Sequence, residues 1–141
     1  MPNWCENRLW VFGFDEEAVK QATEFLEKTK EESSDLVFYK LVPLDPENEK
    51  AWDYEKAVDM WGTKWEPCDV QLVLEDLAVD YVQLEYSFNT AWSPPFVWLR
   101  TVSRKFPHLL FLLSYFEPGV GFMGVAKFKN GEEDVRELEW E

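Results

Sequence analysis

The sequence predicts an α+β protein of the ferredoxin-like sandwich type, with an antiparallel sheet and two main helices on one face. The apolar patterns run in the order strand, helix, strand, insertion, strand, helix, strand and C-terminal hairpin. A βαββαβ order of this kind is built most economically as one such sheet. The chain has 141 residues, of which 46% are hydrophobic, and this is enough for one core. We therefore predict a single domain over residues 1–141, with an insertion at about 43–80 between the second and third core strands.

The first strand and the first helix have the clearest patterns of the N-terminal half. Residues 8–12 have the sequence Arg-Leu-Trp-Val-Phe, which is typical of a strand, and Asp15 is placed to cap the helix that follows. The buried stripe of this helix has the i, i+3, i+4, i+7 spacing and consists of Ala18, Val19, Ala22, Phe25 and Leu26. A short second strand is predicted at residues 36–39, which Pro43 and Pro46 must end.

The inserted segment has weaker signals. Residues 52–60 are interpreted as a short helix, and the motif Trp61-Gly62-Thr63-Lys64-Trp65 as a loop. Residues 70–74 fit either a strand or the start of a helical turn. The sequence leaves both alternatives open and does not fix the direction of this segment relative to the sheet.

The second half of the chain begins with an unambiguous strand. Residues 82–89 alternate between apolar and polar side chains at the period of a half-buried strand. Ser93 is then placed as the N-cap of a second helix, with Pro94 at its first position. The buried stripe of this helix is Phe96, Leu99, Val102, Ser103 and Phe106. Residues 109–115 are apolar almost throughout, as in a central strand.

The plainest turn signal lies near the C-terminus. Residues 122–129 and 135–140 have the composition of strands, and they are joined through Asn130-Gly131. This dipeptide is the one that a two-residue hairpin turn prefers. The sequence therefore predicts a hairpin that follows the βαββαβ core.

Four aromatic motifs lie at the ends of the predicted elements instead of inside their apolar runs. They are Trp4-Cys5-Glu6-Asn7, Trp61-Gly62-Thr63-Lys64-Trp65, Trp92-Ser93-Pro94-Pro95 and Phe116-Glu117-Pro118-Gly119. In the predicted topology the first strand lies antiparallel between the third and the fourth. Residues 4–7, 90–93 and 117–119 should therefore converge at one edge of the sheet. Because a rigid scaffold commonly displays binding groups at the ends of its elements, this tryptophan edge is the predicted site.

Longer segments around these motifs carry a resemblance to a known family. They are Met-Pro-Asn-Trp-Cys-Glu-Asn-Arg at positions 1–8, the 61–65 motif, Phe88-Asn89-Thr90-Ala91-Trp92-Ser93-Pro94-Pro95, and Tyr115-Phe116-Glu117-Pro118-Gly119 with Phe122 and Gly124. In this order they resemble the YubB ferredoxin-like domain family, whose members occur in phages and conjugative plasmids. The resemblance implies the fold and a mobile-element setting, and it supplies no catalytic residue. The short segment 35–52 departs from the larger members, since it leaves little room for an added domain.

The charge of the chain limits its partners. Asp and Glu number 28 against 14 Lys and Arg, which gives a net charge of −14 and opposes binding to phosphate backbones. Direct nucleic-acid binding is therefore disfavoured, and the acidity serves either solubility or attraction to a basic partner. The sequence has no apolar stretch long enough to span a membrane and does not begin with an export signal, so we expect a cytoplasmic protein with Cys5 and Cys68 reduced.

Catalytic templates are mostly missing from the sequence. His108 is the single histidine and follows Pro107, which favours a surface position. A zinc site of the usual ligand types cannot be built from it and two distant cysteines, and no phosphate-binding or dinucleotide-binding glycine loop is present. Glu6 and Glu117 are the one carboxylate pair that the topology could bring together. We therefore predict no catalytic residue, no metal and no cofactor.

Two hypotheses of function remain. The first is a non-enzymatic binding module with an aromatic pocket for a small ligand such as a nucleotide, which would sequester a host signal. Its predicted ligand-binding residues are Trp4, Asn7, Trp61, Thr63, Lys64, Trp65, Thr90, Trp92, Ser93, Glu117 and Phe122. The alternative is an acidic interaction protein or nucleic-acid mimic that blocks a basic host factor. The sequence does not predict an oligomeric state.

Overall fold

The structure, a computed structural model, describes residues 3–140, so Met1 and Pro2 of the segment 1–8 and Glu141 lie outside the described residues. The elements in chain order are β1 (Trp4–Gly13), α1 (Glu16–Thr29), α2 (Tyr54–Trp61), β2 (Cys68–Leu77), β3 (Val82–Ala91), α3 (Phe96–Lys105), β4 (Leu110–Glu117), β5 (Phe122–Lys129) and β6 (Glu132–Glu139). The strands form one antiparallel sheet in the order β2-β3-β1-β4-β5-β6. The four strands β2-β3-β1-β4 with α1 and α3 are the βαββαβ core, which confirms the predicted ferredoxin-like fold.

Strand periodicity divides the sheet into a covered face and an open face. On β1 the buried residues Cys5, Asn7, Leu9 and Val11 alternate with side chains that are exposed or half-buried. The covered face lies under the helices, where Phe25 of α1 packs edge-on against Tyr86, Phe106 and Phe111. No helix of the described residues packs on the opposite, open face, and this asymmetry determines where a partner has access.

The predicted start of α1 is confirmed, the short helix predicted at residues 52–60 is found at Tyr54–Trp61, and the predicted start of α3 is wrong. Asp15 Oδ1 accepts from Ala18 N at 2.7 Å and caps α1, while α2 begins after Asp53 and is capped at its C-terminus by Gly62 with φ +83°. Helix α3 begins at Phe96 without a side-chain cap, not at Pro94. The Ser93 side chain is directed to the end of α2 instead, where its Oγ donates to Gly62 O at 2.6 Å, and the residue before α3 is Pro95, whose side chain has no polar group to cap the helix.

The second core strand is Cys68–Leu77, and the predicted strand at residues 36–39 is wrong. The insertion therefore lies between α1 and β2, not between the second and third core strands, and its predicted range of about 43–80 includes β2 by mistake. Residues 36–38 are buried as a loop. The backbone N–H groups of Phe38 and Tyr39 donate to the Glu66 carboxylate at 2.5 and 3.1 Å, so a side chain takes the place of a neighbouring strand.

The predicted C-terminal hairpin is confirmed. Strands β5 and β6 pair along their length and are joined through Asn130 and Gly131, which have φ of +49° and +83°. Two central residues with positive φ are what the favoured two-residue hairpin turn requires. The hairpin extends the sheet beyond β4, and its outer strand has acidic side chains on a free edge, which discourages pairing with another chain.

Tyr86 offers a test of how the covered face is packed. Its hydroxyl is fully buried beside Thr29, whose Oγ1 donates to Phe25 O at 2.7 Å, and within residues 3–140 the Tyr86 hydroxyl has no hydrogen bond of good geometry. A buried polar group without a partner costs about 1–3 kcal/mol. We expect Tyr86→Phe to leave the free energy of unfolding unchanged or to raise it by about 1 kcal/mol, measured by urea unfolding. A loss above about 1 kcal/mol would show that the hydroxyl bonds to Thr29.

Candidate functional site

The three motifs predicted to converge do lie together at one edge of the sheet. Trp4 pairs in register with Ala91 of β3, and Glu6 pairs with Phe116 of β4. The backbone N–H of Trp92 donates to Asn3 O at 2.8 Å and closes the corner. The predicted convergence is therefore confirmed. A ligand could bind at this tryptophan edge only if the edge leaves space and free polar groups.

The polar residues of the tryptophan edge bond to one another. Asn7 Nδ2 donates to Thr90 Oγ1 at 2.9 Å, and Thr90 Oγ1 donates to Ser93 O at 2.7 Å. Asn7 and Thr90 are buried. Since buried polar groups need such partners, these three residues act as a bracket between β1, β3 and the start of α3. Their hydrogen-bonding groups are therefore already engaged within the protein.

The 61–65 motif, whose direction the sequence left open, packs against the same edge of the sheet. Trp61 is 2% exposed and its Nε1 donates to Val42 O at 2.9 Å. Thr63 is buried and its Oγ1 donates to Ala91 O at 2.8 Å. The motif thus joins the end of α2 to the end of β3. We call the buried contacts of Trp61 and Thr63 the seam.

The exposed aromatic rings of the edge are already in contact with other groups. The centroids of the Trp4 and Trp65 rings are 6.2 Å apart, and Lys64 Nζ lies 4.4 Å from the Trp65 ring centroid. The Lys64 ammonium therefore occupies a face on which a base would stack. Trp92, 45% exposed with φ +70°, lies at the corner. Only part of the predicted aromatic set remains accessible.

Glu117 and Phe122, the last predicted site residues, belong to the β4–β5 turn. Glu117 is fully buried, and its carboxylate accepts from Gly119 N at 2.6 Å and from Val120 N at 2.8 Å. Phe122 packs against Tyr115 with ring centroids 6.0 Å apart. The proposed Glu6–Glu117 pair does not form, because Glu6 points to the open face and successive residues of β4 point to opposite faces. Glu117 is a turn residue.

A second candidate, which the sequence analysis missed, is a basin of about 530 Å³ on the open face. Its floor is the row Ser87, Arg8 and Ser114, which face each other on β3, β1 and β4. Small serine side chains on both sides of Arg8 leave the depression. We call this depression the open-face basin, and its walls are formed by Glu6, Asp69, Asn89, Phe116, Met123 and Val125.

Hydrogen bonds fix the polar side of the open-face basin. The Glu85 carboxylate bonds to the Arg8 guanidinium and also accepts from Trp10 Nε1 at 3.0 Å. Asp69 lies where the β2–β3 register shifts and has φ +52°, an uncommon conformation for a residue other than glycine. A bulge of this kind redirects a side chain, and Asn89 Nδ2 donates to Asp69 at 3.3 Å. The alternation of residues 82–89 indicated a polar open face, whereas the bulge has no sequence signal.

The reactive side chains of the molecule lie away from both candidate sites or are not activated. Burial raises the pKa of the Cys5 thiol to about 12, so this cysteine is a poor nucleophile. His108 is exposed, as predicted, and contacts Asp15 at 3.4 Å at the opposite end of β1. Burial also raises the pKa of Glu66 to about 7, although the Phe38 and Tyr39 N–H groups oppose the shift. Glu66 accepts hydrogen bonds from the backbone of the insertion and lies outside the open-face basin.

No helix between residues 3 and 140 is long and apolar enough to cross a membrane. The same residues contain no group of three or more His, Cys, Asp or Glu side chains arranged to hold a metal ion. Cys5 and Cys68 are both free thiols.

Comparisons with known proteins agree with this fold. A family model described as "Ferredoxin-like domain in Api92-like protein" matches residues 60–141, more than half of the chain. The structure is similar to the crystal structure of the protein api92 from Yersinia pseudotuberculosis, with a TM-score of 0.64 and 11% identity, over 100% of this chain and 99% of that chain. At this identity the likeness concerns the fold alone. No curated protein matches the sequence.

Proposed function

We propose a function for this chain from the geometry of its open face. The chain belongs to the family described as the ferredoxin-like domain in Api92-like protein. The protein is a non-enzymatic binding module that engages a basic partner protein. The observation that carries this proposal is the open-face basin of about 530 Å³ on the sheet face that the helices of residues 3–140 leave uncovered. With a net charge of −14, the chain attracts a basic surface over a distance and orients it on approach.

The small-ligand hypothesis has weaker support from the same geometry. Of its polar residues, Asn7, Thr63 and Thr90 are buried and bonded to other parts of the chain. The Lys64 ammonium covers the Trp65 ring that a base would use. Partner binding through the open face needs none of these groups to be released.

The proposed setting is that of an accessory protein of a phage or conjugative plasmid, which acts on a basic host factor. It follows from the resemblance of the four aromatic motifs to the YubB ferredoxin-like domain family. An acidic module that occupies the basic surface of a host protein would block the nucleic-acid partner of that protein. This setting explains why acidity and an accessible sheet face occur in one small domain.

The proposal is tested with arginine- and lysine-rich peptides and a nucleotide panel. We expect the peptides to bind, and the affinity to fall steeply between about 0.05 and about 0.5 M salt, measured by fluorescence anisotropy. Ser114→Arg places a cation in the basin and should weaken binding at least about tenfold. Thr23→Arg makes the same charge change on the exposed face of α1 and is the matched control.

Two results would contradict the proposal. If Ser114→Arg and Thr23→Arg weaken binding equally, the open face is not the contact surface. If the nucleotides raise the melting temperature and quench tryptophan fluorescence while the peptides do not bind, the small-ligand hypothesis replaces it.

A further inference from the structure

The sheet register divides the open-face basin into an acidic side and an apolar side. One row of side chains crosses the sheet through Asn89, Glu6, Phe116 and Met123, which occupy facing positions on β3, β1, β4 and β5. Glu6 and Phe116 are therefore direct neighbours on adjacent strands. A ligand that contacts both needs a positive charge next to a planar or apolar surface.

The charges of the basin leave two carboxylates for a ligand. Arg8 is neutralised within the protein by Glu85, whose other oxygen holds the Trp10 indole. Glu6 is exposed and, within the part of the chain that the structure describes, forms no ion pair, while Asp69 accepts one hydrogen bond from Asn89. A cation that enters the basin therefore meets two negative groups and no free positive one.

The apolar wall is already ordered. The Phe116 ring stacks on the Trp140 ring with centroids 6.0 Å apart and an interplanar angle of 24°. This stack holds one face of Phe116 and fixes the position of the ring. Phe116 and Met123 remain 38% and 44% exposed, so they offer contact area without a rearrangement of the core.

We propose that the open-face basin binds one arginine side chain of a basic segment of the partner protein. The guanidinium group donates to the carboxylates of Glu6 and Asp69. The plane of this group and the aliphatic part of the arginine side chain lie against Phe116 and Met123. Arginine fits better than lysine because its planar fork donates to two carboxylates while it contacts an aromatic ring. This inference rests on the proposed function and adds the residue that the site recognises.

The test uses three short peptides of one sequence with arginine, lysine or citrulline at the central position. Citrulline keeps the shape of arginine and removes its charge. We expect the unaltered protein to bind the arginine peptide, and the lysine and citrulline peptides to bind at least about fivefold and about tenfold more weakly. Fluorescence anisotropy gives the three affinities at one salt concentration.

Matched protein variants locate the contact. Glu6→Gln and Asp69→Asn should each weaken binding of the arginine peptide by about tenfold, because each removes one charged hydrogen-bond partner. Glu17→Gln makes the same charge change on α1, behind the sheet, and should alter affinity less than about twofold. Urea unfolding of each variant confirms that the fold is retained.

The outcomes separate this inference from the proposed function. Equal weakening by Glu6→Gln and Glu17→Gln, or equal affinity for the arginine and citrulline peptides, overturns the arginine site and leaves a partner bound by overall charge. Failure of the unaltered protein to bind any basic peptide overturns both.

Discussion

Trp61→Ala should lower the free energy of unfolding by about 3–5 kcal/mol, the loss typical of a fully buried tryptophan. Trp61 is 2% exposed, its ring meets Phe38 edge-on at 5.5 Å, and its Nε1 donates to Val42 O at 2.9 Å. The substitution removes the packing that joins α2 to the buried loop around Phe38 and Val42 and leaves the Val42 carbonyl without its donor. Urea unfolding followed by circular dichroism measures the loss.

Two further variants keep this prediction testable if Trp61→Ala is unfolded. Trp61→Phe retains part of the ring packing and loses the N–H donor, so its loss should be smaller than that of Trp61→Ala. Trp92→Ala removes a ring that is 45% exposed and should cost less than about 1 kcal/mol. Equal losses for Trp61→Ala and Trp92→Ala would contradict the assignment of Trp61 to the seam.

The fold could be predicted from the sequence because its elements are signalled locally. Asp15 before an apolar stripe, the alternation of residues 82–89 and the Asn130-Gly131 turn each determine structure within a few residues. The convergence of Trp4 with Ala91 then follows from the topology alone.

The two errors of fold prediction come from contacts between residues far apart in the chain. Residues 36–39 have strand composition, but Glu66, 28 residues beyond Phe38, accepts from the N–H groups of Phe38 and Tyr39. Ser93 looks like a helix cap, but its hydroxyl bonds to Gly62, 31 residues away. No local pattern can reveal a partner at such a separation, since tertiary contacts override local preference.

The candidate site was harder to predict than the fold. The Trp61 motif marked a real junction, yet a buried seam and a ligand pocket use the same tryptophan and threonine side chains. The sequence cannot tell whether Thr63 Oγ1 faces a ligand or Ala91 O, because that depends on where the insertion returns. The open-face basin depends on the cross-strand neighbours Ser87, Arg8 and Ser114, which no single segment reveals.

The Glu66 carboxylate should make stability fall as pH rises from about 5 to about 8. Burial, and to a smaller extent the nearby Glu31 charge, raise its pKa to about 7 from 4.5 in the unfolded chain, while the N–H groups of Phe38 and Tyr39 oppose the shift. The folded state therefore binds the proton more tightly. Its stabilising contribution is fully present below pH 4.5 and is lost as pH rises through about 7, a change of about 3 kcal/mol.

Glu66→Gln isolates this contribution because glutamine does not titrate. At pH 5 the variant should be the less stable protein, since its amide nitrogen cannot accept from one of the two N–H groups that Glu66 holds. At pH 8 the unaltered protein carries a half-buried charge, so the difference in free energy of unfolding between it and the variant should become smaller by about 3 kcal/mol. Glu17→Gln, on exposed α1, should retain the original pH dependence. A gap that stays constant between pH 5 and pH 8 would show that Glu66 is ionised throughout. In that case the two N–H groups of the insertion would be held by a carboxylate of ordinary pKa.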